Sequence, residues 1–115
     1  MIKQGQVVTI SFEPSKGEEI QKYRPALVMS RNEYNLSGNL IIVCPITSTE
    51  RNEPYLLSIS GEFLKKDSKV NTRQIYSLDY TKKGNRNVKV IGELKRVEFL
   101  NVAQVFMQNF NFPFF

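Results

Sequence analysis

Residues 12–30 read FEPSKGEEIQKYRPALVMS and are answered by CPITS at residues 44–48. Upstream, Val8, Ile10 and Phe12 alternate with Val7, Thr9 and Ser11, a period of two that predicts a first strand over residues 6–12. Glu13 to Gly17 is turn chemistry, where proline fixes the backbone and glycine frees it, and 18–23 is a polar loop without an apolar stripe. Pro25 biases the preceding Arg24 to extended geometry and places it at a strand entrance. Ala26 to Met29 is apolar on successive residues, as in a central strand covered on both faces. Leu40–Cys44 predicts a second buried strand, ending in the proline-pinned pair Thr47–Ser48. Two strand ends are thereby set against each other, and the rest of the chain is their scaffold.

Working outward, 31–39 is rich in turn residues and predicts a long connection. Further strands are predicted at Tyr55–Ser60, Ser68–Asn71, Gln74–Leu78 and Asn87–Ile91, with a basic loop at Lys82–Arg86. One helix is predicted over Arg96–Asn109, because Phe99, Val102, Ala103, Phe106 and Phe110 share one face. Leu94 and Phe99 have the spacing of a hydrophobic staple around a start at Lys95, with Glu98 placed for half of a capping box. The fold class is mainly β with a terminal helix (α+β): a twisted antiparallel barrel closed by that helix.

The 115 residues predict one domain, 1–115, of ordinary globular composition, 41% hydrophobic and 23% charged. Its longest apolar run, Leu40–Cys44, is far short of a membrane span, and Lys3, Gln4 and Gln6 interrupt any signal-like amino terminus. One cysteine forms no internal disulfide, so a reducing cytoplasm is expected, with Cys44 a small buried hydrophobe. The formal charge of +5 favours a polyanionic partner without specifying it. Histidine is absent, which excludes His-based triads and the usual His-rich zinc sites. No carboxylates cluster at convincing metal-binding spacing, so no metal and no cofactor are expected.

Several blocks recur in a fixed order: Lys3-Gln4-Gly5, Phe12-x-Pro-x-x-Gly17, Arg24-Pro25-Ala26-Leu27-Val28, Pro45-Ile46-Thr47-Ser48, Gln74-Ile75 and Ile91-Gly92. Together they resemble the MazF/PemK (Kid) toxin family over residues 3 to 106. The ordered set, not any one block, is specific. The resemblance implies an SH3-like, CcdB-like barrel and a homodimer. It also implies a metal-independent endoribonuclease (an mRNA interferase) that cuts single-stranded RNA, and a cognate antitoxin partner.

It further implies that Arg24 and Thr47 form the catalytic pair, and their chemistry suits that role. Cleaving RNA through its own 2′-hydroxyl needs a base, an acid and charge stabilisation on phosphorus. An arginine can clamp phosphoryl oxygens through its bidentate fork, and Thr47 with Ser48 supplies hydroxyl donors. Free guanidinium is a very weak acid, so electrostatic clamping is the stronger of its two possible roles. On local sequence alone, Arg24 reads as a surface or salt-bridged residue and Thr47 as a turn residue with a locally bonded hydroxyl; the ordered motif set carries their functional reading. Glu18 and Glu19 either pair with Lys16 and Lys22 or, as the resemblance implies, orient the substrate from a covering loop. Lysines 65–66 and 82–83 read as solvated turns.

The segment Asn71-Thr72-Arg73-Gln74-Ile75-Tyr76 departs from the family pattern. Arg73 stands where an acidic residue is common, and Tyr76 where a basic one is. Arg73 and Gln74 are candidate RNA contacts, but strand alternation lets only one of them face the groove. Tyr76 offers a stacking face. The tail holds Phe110, Phe112, Phe114 and Phe115, expected to pack across the barrel or a dimer interface first, or under an antitoxin second. Two alternatives share the fold: a CcdB-like toxin that binds gyrase, and a non-catalytic RNA-binding or interaction module.

Overall fold

The computed structural model describes residues 1–13, 22–65 and 67–113. Among these lie β1 (Gln6–Ser11), β2 (Tyr23–Val28), α1 (Asn32–Ser37), β3 (Leu40–Ser48), β4 (Leu56–Ser58), β5 (Ser68–Asn71), β6 (Tyr76–Asp79), β7 (Lys89–Glu93) and α2 (Arg96–Met107). All strand pairings are antiparallel. The sheet runs β4-β5-β3-β2-β1-β7, with β6 beside β3. Among the described residues β4, β6 and β7 each pair on one side only, so the expected closed barrel is an open sheet with a helix packed on it.

The three central strands are buried on both faces, as the apolar runs of β2 and β3 predict; β1, whose sequence alternates, is covered on both faces as well. On one face Val7, Leu27, Cys44, Ile46 and Val70 meet Leu94, just before α2, and Val102 in its middle, with Phe99 and Phe106 packed against them. On the other, Val8, Ile10, Ala26, Val28, Ile41, Val43 and Leu78 form a second core that Phe12 and Tyr80 border. Gly5, at φ +89°, takes the left-handed backbone that an L side chain resists. Its N–H donates to the Val28 carbonyl (2.9 Å), and its carbonyl accepts the Leu94 N–H (3.0 Å). That glycine ties the entry of β1 to the end of β2 and the start of α2.

Three differences from the sequence expectations have physical causes. The connection 31–39 contains α1, fastened by one buried side chain: Asn35 exchanges a short hydrogen bond with Ser30 and donates to the carbonyls of Ile2 and Ser30 (3.0 and 3.2 Å). The strand from Leu40 runs on to Ser48, because β5 pairs with Ile46–Ser48 where the pairing of β3 with β2 has stopped. The strand expected from Gln74 starts at Tyr76. β5 and β6 run along the same edge of β3, where Ile46 faces Val70 and Val43 faces Tyr76. Three steps along β3 are thus matched by six, and residues 72–75 are pushed out of the ladder as a bulge.

At α2, Leu94 is buried beside the partly buried Phe99, as a staple requires. Glu98 does not complete a capping box. Its carboxylate instead accepts the Ser60 N–H (2.9 Å) and hydroxyl, tying the helix to the segment after β4. In the tail, Phe110 packs on Phe106 at 5.7 Å between ring centroids, and Phe112 stacks on Phe110 at 5.6 Å. Phe110 and Phe112 remain 42% and 41% exposed. Phe114 and Phe115 lie outside the described residues.

Candidate active site

Arg24 and Thr47 reach one place from neighbouring strands. In the β2–β3 ladder Ala26 pairs with Pro45, and the same register carried two steps further sets Arg24 level with Thr47. The ladder has ended there: Pro25 and Pro45 each withhold an N–H, and β3 beyond Pro45 is held only along its other edge, by β5. The two residues therefore flank an opening and not a hydrogen-bonded seam. That opening is a groove of about 410 Å³, lined by Arg24, Thr47 and Ser48 together with Tyr23, Phe63 and Lys65.

A glycine makes room for the groove wall. A Cβ on Gly92 would lie 2.3 Å from Cδ1 of Phe63, so the ring can rest on β7 only because position 92 has no side chain. Lys69 supports the opposite wall. It pairs with Thr47 in the β3–β5 ladder and is only 7% exposed. Its ammonium donates to the Arg51 carbonyl (2.6 Å) and to Asn52 Oδ1 (3.2 Å), holding the segment that follows Ser48.

The Arg24 guanidinium sits 5.7 Å from the centre of the Phe12 ring, and Phe12 meets Tyr76 edge-to-face at 4.8 Å. Arg86 fixes the backbone there, its Nη1 donating to the carbonyls of Ser11 (2.9 Å) and Phe12 (2.7 Å). Among the described residues no carboxylate pairs with Arg24. Cys44 is no competing nucleophile, because burial pushes its thiol up to about 12.

Of the residues singled out in the sequence, the structure brings together Arg24, Thr47 and Ser48. Arg73 goes elsewhere: its guanidinium lies 4.5 Å from the centre of the Tyr55 ring, in a hollow shared with Val105 and Asn109 of the helix end. Gln74 is exposed in the 72–75 bulge, its N–H donating to the Asn71 carbonyl. Neither residue is in a strand, so alternation does not choose between them. Glu18 and Glu19 lie outside the described residues. Sequence reasoning missed Tyr23, Phe63 and Lys69, and set Lys65 aside as a solvated turn. The signal for the last two is pairing: once β5 lies against Ile46–Ser48, residues 65–69 must fall at the Thr47 end.

A family model described as PemK-like, MazF-like toxin of type II toxin–antitoxin system matches residues 3–110. The chain belongs to the PemK/MazF-like toxin family. Endoribonuclease MazF9 of Mycobacterium tuberculosis is 31% identical to it over 86 residues, covering 68% of this chain and 73% of that protein. Endoribonuclease toxin MazF of Escherichia coli K12 is 28% identical over 80 residues, covering 70% of each chain. The crystal structure of MazE–MazF (Form-III) from Deinococcus radiodurans superposes with a TM-score of 0.77 at 24% identity, covering 94% of each chain. That likeness shows a shared PemK/MazF fold, an antiparallel sheet with a carboxy-terminal helix. Among the described residues no helix is long and apolar enough to cross a membrane.

Proposed function

We propose that this endoribonuclease toxin cuts single-stranded RNA in the groove between Arg24 and Thr47, without a metal ion. The carrying observation is their convergence at an opening where two prolines end the strand ladder. In the proposed reaction the substrate's 2′-oxygen attacks the adjacent phosphorus. The new 2′-O–P bond forms as the P–O5′ bond breaks; the 2′-hydroxyl proton passes to solvent water, and a solvent water protonates the departing 5′-oxygen. The products are a 2′,3′-cyclic phosphate and a free 5′-hydroxyl. Negative charge grows on the non-bridging oxygens, and Arg24 meets it with paired N–H donors. Thr47, level with Arg24 on the same face of the sheet, donates its hydroxyl hydrogen to the same oxygens. Lys65 at the rim attracts the backbone of the incoming strand.

An RNA with a single 2′-deoxy substitution at the cut site tests the chemistry. It should bind as the unmodified strand does and remain whole, since the attacking oxygen is gone. Cleavage of that strand would contradict the proposal.

The antitoxin partner and a homodimer belong to the same proposal. Val97, Leu100 and Met107 lie along one outward stripe of α2, 70%, 46% and 53% exposed, and with Phe110 they form an apolar face suited to a second copy. A toxin of this kind acts in the cytoplasm, where its RNA is.

A further inference from the structure

One arrangement that starts at Arg24 is not used by the cleavage chemistry. Tyr76 opens β6 immediately after the 72–75 bulge, opposite Val43, and remains 37% exposed. Its ring is held by the edge-to-face contact with Phe12 at 4.8 Å. Phe12 is itself held at its backbone by Arg86 and covered by the Arg24 guanidinium at 5.7 Å. Arg24, Phe12 and Tyr76 thus form a continuous row in which each group touches the next. The row ends in an aromatic ring that is fixed in place yet open to solvent.

We propose that Tyr76 is the stacking platform for an RNA base beside the scissile phosphate, with Phe12 its positioning residue. The inference rests on the nuclease reading and adds a specificity element to it. A phosphate clamped by Arg24 leaves the base of its own nucleotide within reach of the next ring along the row. A rigid aromatic face accepts a base of any identity and favours those that stack best. Pre-setting the ring by the Phe12 contact removes part of the ordering cost on binding. Tyr76 in this way selects for stacking strength, leaving any hydrogen-bond readout to other groups.

The test uses the full chain and an RNA spanning a mapped cut site, made uncleavable by a 2′-deoxy substitution. It carries 2-aminopurine on one side of the cut or the other. On binding, the fluorophore on one side should be quenched by the wild type and by Tyr76→Phe. Tyr76→Leu should abolish the quench and weaken binding by about 10- to 100-fold, the range expected for one lost stacking contact. Circular dichroism checks the fold of that variant, and Tyr76→Gln replaces it should it not fold. A quench and affinity unchanged in a folded Tyr76→Leu or Tyr76→Gln variant overturn the platform. If the wild type still cuts unmodified RNA, the nuclease reading survives that result. A wild type that neither binds nor cuts RNA overturns both.

Discussion

At the scale of single residues, Arg24 and Cys44 meet opposite demands. Arg24 is exposed at a strand entrance and must supply a forked pair of donors, so Arg24→Lys should fail almost as badly as Arg24→Ala. Losing one oxyanion donor costs about 100- to 1,000-fold in rate, and both variants should fall that far with unfolding midpoints close to wild type. Thr47→Ala should lose less, because it removes one neutral hydroxyl donor and leaves the charged fork of Arg24 in place. Single-turnover cleavage with a matched melting curve checks all three. Cys44 is buried, and its thiol is held neutral up to about 12 against an ordinary 9.0. A group whose pKa is raised on folding stabilises the fold below its unfolded pKa and loses that contribution as pH climbs towards the folded value. Stability should therefore fall between about pH 9 and about pH 12, and Cys44→Ala should flatten that slope in denaturant titrations. Both residues were legible in sequence, one from its proline and the other from its apolar run. Lys69 was not, since a lysine in a four-residue strand gives no sign that its ammonium is spent on two neutral oxygens.

At the scale of elements, strands covered on both faces announced themselves. Ala26–Val28 and Ile41–Cys44 are continuous apolar runs, and α2 carries its apolar stripe at helical spacing. What sequence could not announce was pairing. The step that ejects residues 72–75 arises from the mismatch between β3 and its two partners along one edge, and no local pattern encodes it. The 31–39 segment likewise reads as a loop, because α1 is held by the tertiary hydrogen bonds of Asn35 and not by helix propensity. Two predictions belong here. Gly92→Ala should displace Phe63 from the groove wall and cut cleavage more than stability, which parallel rate and melting measurements would reveal. Leu94→Ala, at a site where β1 and α2 share one core, should cost about 2–5 kcal/mol in denaturant unfolding while leaving the groove residues in place.

At the scale of the whole molecule, the ordered set of short motifs pointed to the family that the match over residues 3–110 establishes. Closure of the barrel was not legible, because it depends on whether β4 and β7 meet, and they remain edges. Net charge acts here too. A chain of formal charge +5 that clamps phosphates should bind RNA with a log–log salt slope of about −0.7 per phosphate neutralised. A flat salt response would argue against a basic groove. Leu100→Glu on the outward stripe of α2 should shift the sedimentation of a dimer to that of a monomer. The most direct measurement incubates the protein with a long single-stranded RNA in excess EDTA, beside an Arg24→Ala control, and maps the 5′ ends. The account predicts discrete cuts that survive the chelator and vanish in the control. Cuts that persist at the same sites in Arg24→Ala, or that EDTA abolishes, would contradict it.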